Sequence, residues 1–164
     1  MKTIVSLMLV FCFAVTPGLA DSGEKATVQE VYDTVLKSAQ VLENLGEEGL
    51  AAFNDPNGEF VWKDTYAFVM NCEEGKIVAH PVSKFIGLTT DKVKCFKTGK
   101  PIMREACGVV NPSGFWKEYW WPKLGSKEIG RKVVFLIPVP ETSYQVGAGI
   151  YDDNMTIEEL NEDA

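Results

Sequence analysis

Apolar residues between positions 26 and 45 recur at steps of three and four: Val28, Val31, Tyr32, Val35, Ala39, Leu42 and Leu45. That spacing draws one apolar stripe along an amphipathic helix, and Gly46 supplies a stop. A second short helix is expected over 47–53, ending before the turn NDPNG at 54–58. From Thr65 the period shortens to two. Tyr66, Phe68, Met70 and Cys72 alternate with Ala67, Val69 and Asn71, and Glu73-Glu74-Gly75 turns the chain into the strand 76–80. This is a β-hairpin pattern, and because both faces are apolar it belongs in a sheet covered on two sides.

Residues 81–100 are irregular and lysine-rich, which suits a crossover that wraps over a sheet. Pro101 fits the first turn of a helix expected over 102–110 and broken at Asn111-Pro112. Strands are expected at 115–121, 131–139 and 144–151, joined by a loop at 122–130 and a tight turn at 140–143. The acidic end, 152–164, has little to bury and is expected to be a tail, either a short helix or without fixed structure. The elements assemble as an α+β fold: a five-stranded antiparallel sheet with the long N-terminal helix on one face and the loop/helix crossover on the other. Between crossover and sheet a small ligand would find its place.

The first twenty residues read as an export signal. Lys2 gives a positive start, 3–15 is an apolar run, and Pro17-Gly18-Leu19-Ala20 ends in small residues. The rival reading is an uncleaved anchor; the bulky Phe11 before Cys12 argues against a lipid-attachment site. Export places the protein in the periplasm or otherwise outside the cell, with no stable membrane span once the signal is cleaved. Removing this segment from the 164 residues leaves 144 and takes the formal net charge from −7 to −8, since it holds one lysine and no acid. An acidic domain of that size argues against nucleic acid and against docking on anionic lipid. Three cysteines remain: Cys72, Cys95 and Cys107. One disulfide and one thiol are expected. Spacing does not choose among the three pairings, but Cys95 lies among lysines while Cys72 and Cys107 have apolar neighbours, which favours Cys72–Cys107.

Candidate chemistry concentrates in the last third. FWKEYWWP at 115–122 and RKVVFLIPVP at 131–140 bring three of the four tryptophans and an Arg-Lys pair close together. Aromatic walls with a cation suit a small hollow, with the positive group at its mouth, that holds a carboxylate. Arg131 and Lys132 point to opposite faces of a strand, so one of them enters the site. Tyr119 and Trp121 share a face and are the expected wall, with Tyr66 and Trp62 on similar grounds. Each of these rings is also a good core residue. His80, the sole histidine, is expected either to donate to the ligand and titrate near neutral pH or to be a hydrogen-bonded strand-end residue.

Enzyme chemistry is not expected. Cys72 and His80 would stand roughly 13 Å apart along the hairpin at ~3.3 Å per residue, and there is no nucleophile elbow, HExxH, CxxC or phosphate loop. No cofactor is expected. One histidine with scattered cysteines makes no zinc site, and the acidic turns at 55–59 and 152–154 lack the spacing of a calcium loop.

The order and spacing of several pieces resemble the single Cache domain: Lys63-Asp64-Thr65-Tyr66, Ala79-His80-Pro81, Gly87, Gly99-Lys100-Pro101, Trp116 with Tyr119-Trp120-Trp121-Pro122, Arg131-Lys132, and VGAGIY at 146–151. The resemblance covers 21–151. It implies a PAS-like extracytoplasmic sensor of the kind found in bacterial chemoreceptors and histidine kinases, with strand order 2-1-5-4-3 and the long helix behind the sheet. It also implies a short carboxylate ligand of the acetate, propionate, lactate or pyruvate class, and Lys132 as its cation with Arg131 second. Such sensors run from the last strand into a membrane helix, whereas Tyr151 here leads to DDNMTIEELNEDA. The expected function is therefore a free-standing binding protein that acts through a membrane kinase, chemoreceptor or transporter. The alternative is an interaction module of the same fold, without a ligand, that meets a partner or a second copy through exposed aromatics.

Overall fold

The computed structural model describes residues 23–109 and 111–162; the expected export signal lies outside them. Helix α1 spans Val28–Leu45. Thr27 caps it: its hydroxyl accepts from the Glu30 N–H, and the Glu30 carboxylate accepts in return from the Thr27 N–H. Val31, Val35, Ala39 and Leu42 form the buried stripe, and Gly46 ends the helix at φ 55°. The segment expected as a second α-helix, Gly46–Phe53, takes the tighter 3-10 form and buries Phe53, which stacks on Phe60.

Six strands follow: β1 Val61–Trp62, β2 Thr65–Asn71, β3 Lys76–Ala79, β4 Phe115–Pro122, β5 Ile129–Pro138 and β6 Tyr144–Tyr151. All pair antiparallel. The order β3-β2-β6-β5-β4 is the expected one, with β1 added against the start of β2. A two-residue strand carries no alternation to read, and its turn places Lys63 at φ 47° where a sequence would ordinarily show glycine. β5 starts at Ile129, earlier than expected, because the ladder continues past Trp121↔Gly130 to Pro122↔Ile129. Helix α2, Ile102–Cys107, is shorter than expected and buries Ile102, Met103 and Ala106. The favoured disulfide, Cys72–Cys107, ties it to the end of β2, and Cys95 is the free thiol.

Strand alternation splits the sheet into two faces. Val133, Phe135 and Ile137 of β5, Ala67 and Val69 of β2, and Val146, Ala148 and Ile150 of β6 pack against α1. Val134 and Leu136 of β5, Tyr66, Phe68 and Met70 of β2, and Tyr119 and Trp121 of β4 face the crossover.

The acidic end has more to bury than its composition implies. Met155, Ile157 and Leu160 pack onto the α1-side core, and α3 (Ile157–Glu162) lies on β4. Asn161 there accepts from the Trp116 N–H at 2.7 Å and donates to its carbonyl at 3.0 Å, partnering the backbone of an edge strand.

Candidate functional site

On the crossover face, the register of the central strands sets three side chains in one row: Tyr119 of β4 pairs with Lys132 of β5, and Lys132 pairs with Tyr151 of β6. In the next row Gly149 lies between Val134 and the position beside Ala67 that Tyr66 occupies. A Cβ on Gly149 would come within 2.5 Å of the Val133 carbonyl oxygen, so the position admits only glycine. With no side chain there, Lys132 reaches across to β2. Its Nζ sits 3.7 Å from the centroid of Tyr66, with Tyr151 at 5.4 Å and Phe68 at 5.8 Å.

Lys132 has 0% exposure, and its ammonium has no hydrogen-bond partner among the described residues. Aromatic faces attract it but accept no proton. Burial lowers its pKa to about 7, against a smaller opposing pull from the Asp64 carboxylate. Beside the Tyr66 ring the Tyr151 hydroxyl donates its proton to the Pro122 carbonyl at 2.6 Å. Burial holds the phenols of Tyr66, Tyr119 and Tyr151 well above the usual tyrosine range.

His80 joins the same cluster from the segment after β3. Its ring lies 4.7 Å from Tyr66 and 4.8 Å from Phe85. Nδ1 accepts from the Val82 N–H at 2.9 Å, which assigns the ring proton to Nε2 and leaves that nitrogen as a donor. Titration near neutral pH does not survive: burial, then the positive charges of Lys132 and Lys84, lower its pKa to about 3. Trp121 closes the far side, 6.1 Å from Tyr119, 5.2 Å from Phe85 and 5.5 Å from Phe96.

The structure thus brings together Lys132, Tyr119, Trp121, Tyr66 and His80, and it leaves out two expected members. Arg131 points to the other face, where its guanidinium grips Glu118 with two nitrogens and donates to the carbonyls of Asp152 and Met155 at 2.9 and 2.8 Å. It anchors the acidic end instead of lining the site. Trp62 packs with the α1-side core, because β1 joins the sheet edge there, and its indole nitrogen is buried without an acceptor among the described residues. Nor is the positive group at the mouth of an open hollow; the rings close over it. Two surface grooves of about 540 and 450 Å³ lie elsewhere, one between α3 and β4 and one between α1 and the end of β5. Sequence reasoning missed Phe68, Phe85, Tyr151 and Gly149. Phe68 shares the parity of Tyr66 and was within reach. The Lys132↔Tyr151 pairing needs the register, and Phe85 sits in a crossover without periodicity.

Residues 56–156 match the family model of the Cache domain, and the chain belongs to that family. Its fold is that of chemosensory domains. A Cache chemosensory domain solved for the structural basis of its carboxylic acid recognition superposes with TM-score 0.57 at 20% identity, over 74% of this chain and 86% of that one. A methyl-accepting chemotaxis protein from Vibrio parahaemolyticus gives 0.61 at 15% identity, over 77% and 88%. The periplasmic sensor domain of a chemotaxis protein gives 0.56 at 21%, over 74% and 88%. No curated protein matches the chain. Among the described residues no helix is long and apolar enough to cross a membrane.

Proposed function

We propose that this Cache domain is an exported binding protein for a small organic carboxylate, held by Lys132 and enclosed by Tyr66, Tyr119, Trp121, Tyr151 and His80. One observation carries the reading: a fully buried ammonium with no acceptor among the described residues. Taking such a charge out of water costs several kcal/mol, and an anion bound against it offsets that cost. A carboxylate suits the chemistry of this cluster, with its charge on Nζ and its short apolar part against the aromatic walls. The ligand proposed is of the acetate, propionate, lactate and pyruvate class, and the carboxylic acid recognition for which one similar Cache domain was solved supports it. The rings must part to admit it, so binding is coupled to a movement of the crossover. That movement is what a partner in the membrane, a kinase, chemoreceptor or transporter, would detect.

Isothermal calorimetry with a panel of short organic acids tests this. Binding is expected with proton uptake near neutral pH, because the anion raises the depressed Lys132 pKa. Lys132→Met should abolish it, while Arg131→Ala should leave it intact. Carboxylate binding that survives Lys132→Met would sink the assignment. The packing of the rings over Lys132 favours a second reading, an interaction module without a ligand; a melting temperature indifferent to the whole panel would support it.

A further inference from the structure

The crossover carries charge of the opposite sign to the chain as a whole. Residues 92–100, KVKCFKTGK, hold four lysines and no acid in a protein of net charge −7. Val93 and Cys95 are buried against the crossover-side core, while Lys92, Lys94 and Phe96 are exposed, an alternation that sets those three on the outer side. None of Lys92, Lys94, Lys97 and Lys100 enters an ion pair among the described residues. Lys97 rests its ammonium 4.1 Å from the Trp120 ring centroid.

This segment is also held in place. Lys94 bridges to Pro101, the Cys95 N–H donates to the Lys100 carbonyl, and the Gly99 N–H donates to the Cys95 carbonyl. The Phe96 N–H donates to the Trp120 carbonyl, and the Trp120 N–H donates to Cys95 Sγ, so the loop is pinned along edge strand β4. At its tip Phe96 is 58% exposed, with its ring edge-on to Trp121. One edge of this ring meets Trp121, but more than half of it is held toward water, among cations without ion pairs on a fixed backbone, and that exposed part serves no packing in the domain.

We propose that residues 92–100 are a docking surface for an anionic lipid bilayer, the lysines meeting the headgroups and Phe96 entering the interface. Lysines near an anionic leaflet each strengthen attachment roughly fivefold, and an aromatic ring gains by partial insertion. A protein partner fits less well: a stable interface needs about 800 Å² from each side with several anchors, and this segment offers one exposed aromatic. The acidic body does not cancel the attraction. At physiological salt, charges beyond about 8 Å are screened, and the acids beside the tip are engaged, Asp91 by Arg104 and Glu105 by Lys117. The whole-chain charge, which argued against anionic lipid, averages away this local surface. The proposal does not depend on a ligand at Lys132.

The test is co-sedimentation of the exported chain with equimolar phosphatidylcholine–phosphatidylglycerol vesicles and with pure phosphatidylcholine vesicles. The readout is the ratio of the two partition coefficients, to which any apolar leader left on the chain contributes about equally. The ratio should be well above unity at low salt and fall as salt rises. Lys92→Gln with Lys94→Gln should lower it roughly 25-fold at two lysines, and Phe96→Ser should weaken anionic binding while keeping the salt dependence. Unchanged melting temperatures confirm that these exposed changes leave the fold intact. A ratio near unity, a ratio indifferent to the lysine changes, or binding to soluble polyglutamate in place of vesicles would overturn the proposal.

Discussion

The two faces of one sheet solve burial in opposite ways. Toward α1, Phe135 sits between Tyr32 and Trp116, each with ring centroids 5.1 Å away, among valines and alanines that demand no partner. Toward the crossover, strands of the same ladder bury Lys132, His80 and three tyrosines. The first face gains stability by excluding water. The second face gives some of it up, because an ammonium without an acceptor is a cost in the ligand-free state. Neighbouring residues of β5, Lys132 and Val133, thus belong to the candidate site and to a core.

The contrast can be broken most severely on the α1 side. Phe135→Ala should destabilise the protein by about 3–5 kcal/mol through loss of transfer energy and a cavity, measured by urea denaturation. Lys132→Met should act in the opposite direction, stabilising the ligand-free domain by roughly 1–4 kcal/mol. The pH profile sharpens this. An unfolded lysine titrates near 10.4, whereas Lys132 in the fold titrates at about 7. Between these values the unfolded chain binds more protons, so stability should rise with pH. Above about 10 the raised tyrosines reverse the trend, because the fold then holds protons that the unfolded chain has lost. A wild-type profile flat from about 7 to 10, or one unchanged by Lys132→Met, would mean that Lys132 keeps its proton in the fold as in the unfolded chain, and would count against a pKa lowered by unrelieved burial.

A smaller effect isolates His80, whose folded pKa of about 3 lies below the unfolded value. Its contribution to stability should rise with pH from about 3 to 6.5, by at most about 1.4 kcal/mol per unit. His80→Asn, which keeps an acceptor for the Val82 N–H, should flatten that part of the wild-type curve. Identical slopes in the two proteins would show that the imidazole is protonated in the fold.

Much of the architecture was legible because it depends on period. The steps of three and four in α1, the alternation of β2, β4, β5 and β6, and the apolar settings of Cys72 and Cys107 are properties of neighbouring residues. Parity alone separated Arg131 from Lys132. It did not say that Arg131 would find Glu118 and two carbonyls from the acidic end, nor that Met155, Ile157 and Leu160 would have a surface to cover. Those facts join parts of the chain far apart in sequence. For the same reason Trp62 was misplaced: its face depends on how a two-residue strand meets the sheet edge.

Hydrophobic period and side-chain parity are local, so the order of residues along the chain was enough to set the elements, the two-faced sheet and the opposed directions of Arg131 and Lys132. Assembly of the strands is what sets Lys132 in a row with Tyr119 and Tyr151, carries it to Tyr66 over the bare backbone of Gly149, and leaves it without an acceptor among the described residues. Register across three strands sets which side chains surround a charge, and register is a property of the assembled sheet.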